Sequence, residues 1–311
     1  MLVKKNIDHH NSEVSWLRLE QEIPFELEDS CYWLLSNLEI YRFSFEHHPD
    51  NNSKQTLFIW LPLADWSVKD QETLVQSFIS LAKTFELILP DCKFIELKDE
   101  DWSSIWKKSW KPDPVGKSIL ILPAWLDVPE KFLDRKIIRL DPGFAFGTGS
   151  HPSTRLCIEA LDDDPPVGKT FADLGCGSGI LSLIALKAGA KCTFSVDTDS
   201  LAISATQINA ALNDFPENLL NVFLGSIEEI ESNMPEKKID LIICNILTPV
   251  IKSLGPSFEK IIGYKGKVIL SGLLVKQIKE LQDFFLLLGW EVIGIKTKDQ
   301  WALMELTQKL S

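Results

Sequence analysis

Cysteine is scarce in this chain of 311 residues: there are six, and no two form a C-x-x-C pair. So sparse a set excludes a disulfide framework and a zinc ribbon, and it favours free thiols in a reducing compartment. The chain also lacks any run of about 20 uncharged apolar residues, and residues 1–16 lack the apolar stretch of a secretory signal. These absences predict a cytoplasmic protein without a membrane-spanning segment.

Basic residues are outnumbered, because 32 Lys and Arg face 44 Asp and Glu for a formal net charge of −12. A negative surplus repels phosphate backbones and argues against direct binding of nucleic acid. Residues 1–101 carry most of it, with 9 basic and 19 acidic side chains. This part of the chain therefore favours a basic partner.

Residues 1–101 show the alternating patterns of a small α+β domain. The strand patterns lie at residues 14–20, 40–45, 56–61 and 93–97, and the helix patterns at 25–37 and 72–85. This βαββαβ order is typical of a ferredoxin-like fold. Tryptophan recurs every fourth residue from Trp102 to Trp110, which predicts a linker helix within residues 102–116.

Residues 117–311 form the second predicted domain, in which apolar strand runs alternate with helix patterns from Thr170 onward. Such alternation implies a parallel sheet. The last two strand runs, 291–296 and 301–306, are joined by four residues, which are too few for a parallel crossover. We therefore predict an α/β fold whose mostly parallel sheet ends in an antiparallel hairpin.

The most informative motif is Asp173-Leu-Gly175-Cys-Gly177-Ser-Gly179, between an apolar strand and a helix pattern. The nicotinamide fingerprint G-x-G-x-x-G would require glycine at position 180, where the chain has isoleucine. Glycines let the backbone approach a ligand closely, and N–H groups at a helix start suit a carboxylate. With Asp173 to balance an ammonium or sulfonium charge, the motif indicates an S-adenosylmethionine site. A tight turn without a ligand is the alternative.

Two later strand ends carry polar side chains that suit the same ligand. Asp197 lies 22 residues after Gly175, where a carboxylate accepts hydrogen bonds from ribose hydroxyls. Asn245 ends another strand, and its amide oxygen can accept a hydrogen bond from an amine nucleophile. The following Ile246 and Leu247 offer no aromatic clamp, which favours a flexible aliphatic amine. Capping of the strand end is the alternative role for Asn245.

A loop rich in glycine and aromatic residues, Leu140-Asp-Pro-Gly-Phe-Ala-Phe-Gly-Thr-Gly-Ser-His-Pro-Ser-Thr154, precedes the sheet by one helix. Together with the tryptophan-rich linker, the glycine motif and Asn245-Ile-Leu247, it closely resembles the PrmA family. That family methylates protein eleven of the large ribosomal subunit. The resemblance covers nearly the whole chain.

This resemblance implies a fold, an activity and a partner. The fold is α/β, with a Rossmann-like, seven-stranded class I methyltransferase sheet in residues 117–311 after a ferredoxin-like substrate-recognition domain in residues 1–101. The activity is methyl transfer from S-adenosyl-L-methionine to N-terminal and lysine amines of ribosomal large-subunit protein eleven. We expect a cytoplasmic monomer that contacts neither membrane nor nucleic acid.

The resemblance also implies site residues. The cofactor-binding positions are Thr154, Gly175, Asp197 and Asn245, with Phe146, Gly147, Thr148 and His151 lining the same site, and the glycine motif adds Asp173 and Gly177. Asn245 is the expected catalytic residue, and His151 is a hypothetical base whose commoner role would be to orient the loop. The histidine pairs at 9–10 and 47–48 predict solvated loops, and no metal site is expected.

Three other functions stay open at this point. The chain could methylate a different protein, it could be a non-catalytic ribosome assembly factor that binds the donor as a structural ligand, or it could be a nicotinamide oxidoreductase. Single-turnover transfer of labelled methyl to ribosomal protein tests the assembly factor, and equilibrium binding of the two cofactors tests the oxidoreductase. Mass spectrometry of substrate from cells lacking the gene tests a different protein target.

Overall fold

The computed structural model of the chain describes residues 16–38, 40, 43–47, 54–97, 110–141, 149–234 and 239–309. The chain divides into two compact units, Met1–Ser109 and Trp110–Ser311. Residues 102–109 of the predicted linker helix lie outside the described residues, as do His9, His10 and His48. Residues 110–116, which the prediction also assigned to the linker, are not helical and include the strand Asp113–Val115. His47 is the last residue of a strand, so the predicted loop is wrong at that position. Within the described ranges, no helix combines the length and the apolar character needed to cross a bilayer.

The N-terminal unit is an antiparallel four-stranded sheet with two helices. Its elements are β1 Trp16–Pro24, α1 Glu28–Asn37, β2 Phe43–His47, β3 Lys54–Pro62, α2 Val68–Thr84 and β4 Lys93–Leu97. The strand order is β2-β3-β1-β4, and each neighbouring pair is antiparallel. This is the predicted ferredoxin-like arrangement.

The period-2 pattern of β1 explains which side of this sheet is covered. Leu17, Leu19 and Ile23 alternate with more polar residues and are buried. Leu74 and Phe78, four residues apart on α2, belong to the same core.

The C-terminal unit contains two sheets and the remaining helices. Its strands are β5 Asp113–Val115, β6 Ile119–Pro123, β7 Lys136–Leu140, β8 Thr170–Leu174, β9 Cys192–Asp197, β10 Leu220–Leu224, β11 Ile239–Asn245, β12 Ile262–Leu274, β13 Trp290–Lys298 and β14 Trp301–Gln308. Its helices are α3 Pro152–Asp163, α4 Ile180–Lys187, α5 Ser200–Ala211, α6 Ile227–Asn233, α7 Thr248–Leu254, α8 Phe258–Ile261 and α9 Ile278–Leu287.

The large sheet has seven strands in the order β10-β9-β8-β11-β12-β14-β13. The five strands from β10 to β12 are parallel to one another, whereas β14 is antiparallel to both β12 and β13. The predicted parallel sheet with a terminal antiparallel hairpin is therefore confirmed. A smaller sheet, β5-β6-β7, leaves β7 at its edge.

Hydrophobic clusters cover both faces of the large sheet. On β8, Phe171 belongs to one cluster and Ala172 to the other, because alternate side chains point to opposite faces. Asp173 therefore shares a face with Phe171. On that face α4 buries every residue from Ile180 to Leu186, which places an almost entirely apolar helix over a carboxylate.

Candidate active site

The candidate site lies at the carboxyl ends of β8, β9 and β11. The ladder pairs Leu174 of β8 with Val196 of β9 on one side and with Cys244 of β11 on the other. The chain runs from β8 to β9 and β10 in one direction, and then returns to β11 on the opposite side of β8. Such a reversal of strand order opens a crevice in which α/β sheets bind ligands.

The glycine turn after β8 adopts a backbone that side chains rarely allow. Gly175, Gly177 and Gly179 have φ angles of 78°, 53° and 79°. A Cβ atom added to Gly175 would lie 2.4 Å from Cγ2 of Ile246. Glycine at this position therefore lets β8 and the segment after β11 come together.

Four N–H groups of this turn already donate within the chain. The N–H groups of Gly175 and Cys176 donate to the Val196 carbonyl at 2.9 and 3.0 Å. The Gly177 N–H donates to the Asp197 carboxylate at 3.0 Å, and the Gly179 N–H donates to the Cys176 carbonyl at 2.8 Å. The expectation that the turn offers its N–H groups to a ligand carboxylate is therefore wrong for these four. The turn instead fixes Asp197 and gives close backbone approach.

Asp173 is a buried carboxylate with one satisfied oxygen and one orphaned oxygen. Asp173 is only 1% exposed. Its Oδ2 accepts from the Ser182 hydroxyl at 2.7 Å and from the Ser182 N–H at 3.2 Å. Among the described residues, Oδ1 has no hydrogen-bond partner. Burial raises the pKa of Asp173 to about 7, the Ser182 hydrogen bonds oppose that rise, and the nearby Asp197 charge adds to it.

Asp197 ends β9 with both carboxylate oxygens oriented by backbone. Oδ2 accepts from Gly177 N–H, and Oδ1 accepts from Asp199 N–H at 3.0 Å. Burial raises the pKa of Asp197, and these hydrogen bonds counter the rise. A carboxylate oxygen has more than one lone-pair site, so each oxygen retains capacity to accept from a ligand hydroxyl.

Asn245, at the end of β11, is oriented by helix α3. Its Nδ2 donates to Oγ1 of Thr154 at 3.1 Å, across 91 residues of sequence. Among the hydrogen bonds of the described residues, none reaches Asn245 Oδ1. The structure thus brings together the predicted residues Thr154 and Asn245. The amide nitrogen of Asn245 is bound to Thr154, and its Oδ1 is left to accept another hydrogen bond.

The segment after Asn245 is held by a second close backbone approach. A Cβ added to Gly272 of β12, which has φ 75°, would lie 2.5 Å from the carbonyl oxygen of Ile246. Ile246 therefore lies between Gly175 and Gly272, whereas Leu247 is 58% exposed. Neither side chain provides an aromatic surface.

His151 caps helix α3. Its Nδ1 accepts from the Ser153 N–H at 3.3 Å and lies 2.7 Å from the Ser153 hydroxyl. The ring also meets Trp301 edge-on, with centroids 4.6 Å apart, and the residue is only 6% exposed. These contacts give His151 a structural role at the start of the helix that carries Thr154.

The structure describes the two ends of the predicted loop, residues 140–141 and 149–154. Phe146, Gly147 and Thr148 lie outside the described residues. A Cβ added to Gly149, just beyond them, would lie 2.2 Å from Cδ1 of Ile121 and 2.9 Å from Cδ1 of Ile180. The loop therefore resumes close to the first residue of α4.

Several residues that hold the site in place were not predicted from the sequence. They are Ser182 on Asp173, Thr206 and Asn209 on the glycine turn, and Gly225, whose N–H donates to the Asp197 carbonyl. Gly225 could have been predicted from the sequence, because it directly follows β10 and therefore lies at the same edge of the sheet. The others lie within helices, and only their polarity on buried faces distinguishes them.

Comparison with known proteins gives concordant matches. The family described as Ribosomal protein L11 methyltransferase (PrmA) matches residues 15–309. A Prochlorococcus marinus protein named Ribosomal protein L11 methyltransferase is 46% identical over 296 residues, which cover 95% of this chain and 97% of that protein. A Parasynechococcus marenigrum protein of the same name is 46% identical over 286 residues, covering 92% and 99%.

A solved structure is similar as well. The crystal structure of ribosomal protein L11 methylase from Lactobacillus delbrueckii subsp. bulgaricus has a TM-score of 0.59 and 28% sequence identity, covering 65% of this chain and 100% of that one. The α/β arrangement with the seven-stranded sheet is consistent with a class I methyltransferase fold.

Proposed function

The chain belongs to the ribosomal protein L11 methyltransferase (PrmA) family, and from that premise we propose that it transfers methyl groups from S-adenosyl-L-methionine to amines of ribosomal protein L11. The acceptors would be the N-terminal α-amine and lysine side chains. The observation that carries the proposal is the orphaned Oδ1 of buried Asp173, beside a glycine turn at the sheet's switch point.

The residues present fit a cationic sulfur nucleoside. A buried acceptor without a partner is costly, and a ligand ammonium would donate to it directly or through water. A nearby sulfonium would balance the negative charge of the carboxylate. Asp197, oriented by two N–H groups, would accept from ribose hydroxyls. Gly175 and Gly177 would let the ligand lie against the backbone. When bound, S-adenosylmethionine supplies a methyl group on a sulfonium ion, activated toward displacement by an amine.

Asn245 would orient the amine. Its Nδ2 is committed to Thr154, so its Oδ1 is the atom that can accept from an amine N–H. Fixing one amine N–H in this way aims the nitrogen lone pair, and loss of such alignment by about 1 Å can cost on the order of 10²-fold in rate. Exposed Leu247 and half-buried Ile246 leave room for a flexible aliphatic chain.

Loss of a proton from the acceptor must precede transfer. A lysine amine has an ordinary pKa of about 10.4 and is mostly protonated at neutral pH. Desolvation of the amine and the nearby sulfonium charge would both lower the pKa of the acceptor, and its proton would leave to water. His151 is engaged in capping α3, so we propose that it positions the helix and is not the base.

The N-terminal unit would recognise the substrate. Residues 1–101 carry 9 basic and 19 acidic side chains, and a basic ribosomal protein is attracted by such a surface. We propose that the enzyme acts in the cytoplasm as a monomer and that its acidic surface keeps it from nucleic acid.

The test is methylation of purified ribosomal protein L11 from cells that lack this gene. We expect intact-protein mass spectrometry to show whole methyl increments that require S-adenosylmethionine, and peptide mapping to place them on amines. The Asn245→Ala variant should lose turnover by about 10²-fold or more, because it removes the orienting acceptor. Unmodified L11 after incubation with the wild-type chain would reject the proposal, and methylation of another ribosomal protein would redirect it.

A further inference from the structure

We propose that Asn209 is a positioning residue that fixes the donor site by joining two segments distant in sequence through one side-chain amide. The inference rests on the proposed function. Asn209 lies on α5 and is 1% exposed. Polar side chains that are buried this completely need hydrogen-bond partners, and those partners show what the residue does.

The two ends of the amide hold different segments. Asn209 Nδ2 donates to the carbonyl oxygen of Ser178, inside the glycine turn, at 2.9 Å. Its Oδ1 accepts from the backbone N–H of Asp141, directly after β7, at 2.8 Å. The partners lie 31 and 68 residues away in sequence, so no local turn supplies these contacts.

The glycine turn receives a second contact from the same helix. Thr206, one turn earlier on α5, donates its hydroxyl to the Gly177 carbonyl at 3.0 Å. The Gly177 N–H donates to Asp197. Helix α5 therefore fixes the carbonyls of Gly177 and Ser178, in the two peptide groups that directly follow the Gly177 N–H bound to the proposed ribose-binding carboxylate.

The chemistry of an amide fits the position of Asn209. One segment presents a carbonyl and the other an N–H, so the side chain must donate and accept at once. A carboxylate could accept from Asp141 but would place an oxygen against the Ser178 carbonyl. An apolar residue would leave a buried donor and a buried acceptor without partners.

Asn213 provides a matched control within the chain. Its Oδ1 accepts from the Arg139 N–H at 2.8 Å, and its Nδ2 donates to the carbonyls of Arg139 and Asn209, each at 2.7 Å. Residues 139 and 141 present their groups to the same side of β7, so both asparagines satisfy the open edge of that strand. Among the described hydrogen bonds, only Asn209 of the two reaches the glycine turn.

The experiment compares S-adenosylhomocysteine binding by calorimetry in the wild-type chain, Asn209→Asp, Asn209→Ala and Asn213→Ala. For the Asn209 variants we expect the dissociation constant to rise on the order of tenfold, since a buried hydrogen bond to the turn is lost. The Michaelis constant for S-adenosylmethionine should rise with it, while turnover at saturating donor stays near wild type. Asn213→Ala should lower the melting temperature but keep wild-type affinity.

The outcomes separate positioning from simple stabilisation. Wild-type affinity in a folded Asn209 variant would overturn the inference, and so would equal affinity losses in the Asn209 and Asn213 variants. Asn209→Ala decides the matter if the buried carboxylate of Asn209→Asp prevents folding. Failure of the wild-type chain itself to bind S-adenosylhomocysteine would reject the proposed function, and this inference with it.

Discussion

At the scale of single residues, Gly175 is required both by the backbone conformation of the turn and by its close contact with the segment after β11. Its φ of 78° strains any other residue, and an added Cβ would meet Ile246 at 2.4 Å. We predict that Gly175→Ala loses about 1–3 kcal/mol of stability and weakens donor binding by roughly tenfold or more, because Asn245 adjoins the displaced Ile246. Urea unfolding and calorimetric titration measure the two effects.

Gly168→Ala is the matched control. Gly168 has a similar φ of 71°, but an added Cβ meets nothing within 4 Å. It should therefore lose stability through backbone strain and keep wild-type donor affinity. Equal affinities in the two variants would show that Gly175 matters to the fold alone.

Asp173 predicts a pH dependence of donor binding. Its pKa is raised by burial from an ordinary 3.8 to about 7, so near pH 6 the ligand-free carboxyl is mostly protonated. A bound cation favours the carboxylate, and binding must then release a proton. Donor affinity should rise as the pH increases from about 5 to about 7, and this rise should be absent in Asp173→Asn. Calorimetry near pH 6 in buffers of different ionisation enthalpy counts the released proton.

The same shift acts on stability with the opposite sign. Because the folded pKa exceeds the unfolded value, the contribution of Asp173 to stability is present below about pH 4 and is lost as the pH rises through about 7. Bound donor should remove this loss. A melting temperature that rises with pH in the ligand-free chain and equally in Asp173→Asn would indicate that other groups dominate.

At the scale of secondary structure elements, α9 is packed against the core partly through a pair of stacked aromatic rings. Phe285 stacks on Phe258 with ring centroids 6.0 Å apart and planes 8° apart, and both side chains are fully buried. We predict that Phe285→Ala costs about 3–5 kcal/mol in the free energy of unfolding. Leu287→Ala on the same helix, where the residue is 88% exposed, should change it by less than about 0.5 kcal/mol. Similar losses in both variants would contradict this packing.

Most elements could be predicted from hydrophobic periodicity, but several limits could not. Helix α2 begins at Val68 and not near residue 72, because Ser67 and Asp70 form a capping box. Strand β12 extends over Ile262–Leu274 because β11 and β14 pair along it, and a length set by such pairing cannot be predicted from hydrophobic periodicity. Strand β5, of three residues, is too short to show a period.

The residues of the candidate site also fall into two groups, those that could be predicted from the sequence and those that could not. Asp197 and Asn245 could be predicted because they end strands, and parallel strands bring their carboxyl ends to one edge. Ser182, Thr206 and Asn209 could not, because their partners are fixed by how α4 and α5 pack on the sheet. The hydrogen bonds that the turn's N–H groups donate to Val196 and Asp197 could not be predicted either, because they depend on how β8 and β9 lie side by side.

At the scale of the whole molecule, the uneven charge predicts how the substrate is captured. We expect the association rate with ribosomal protein L11 to fall steeply as salt rises, because exposed charges are screened over about 10 Å at 0.1 M. Neutralising Glu72 and Glu96, exposed in the N-terminal unit, should slow association several-fold at low salt. The pair Glu259→Gln and Glu291→Gln, exposed in the C-terminal unit, is the control. Association that is independent of salt would exclude electrostatic docking.

The central claim is that the glycine turn, Asp173 and Asp197 together hold a sulfonium nucleoside. Calorimetric titration of S-adenosylmethionine into the purified chain tests it most directly. We predict saturable binding of one donor per chain, displaced by S-adenosylhomocysteine and unaffected by NADH. No heat and no change in melting temperature on adding the donor, or saturation by NADH in its place, would contradict the claim.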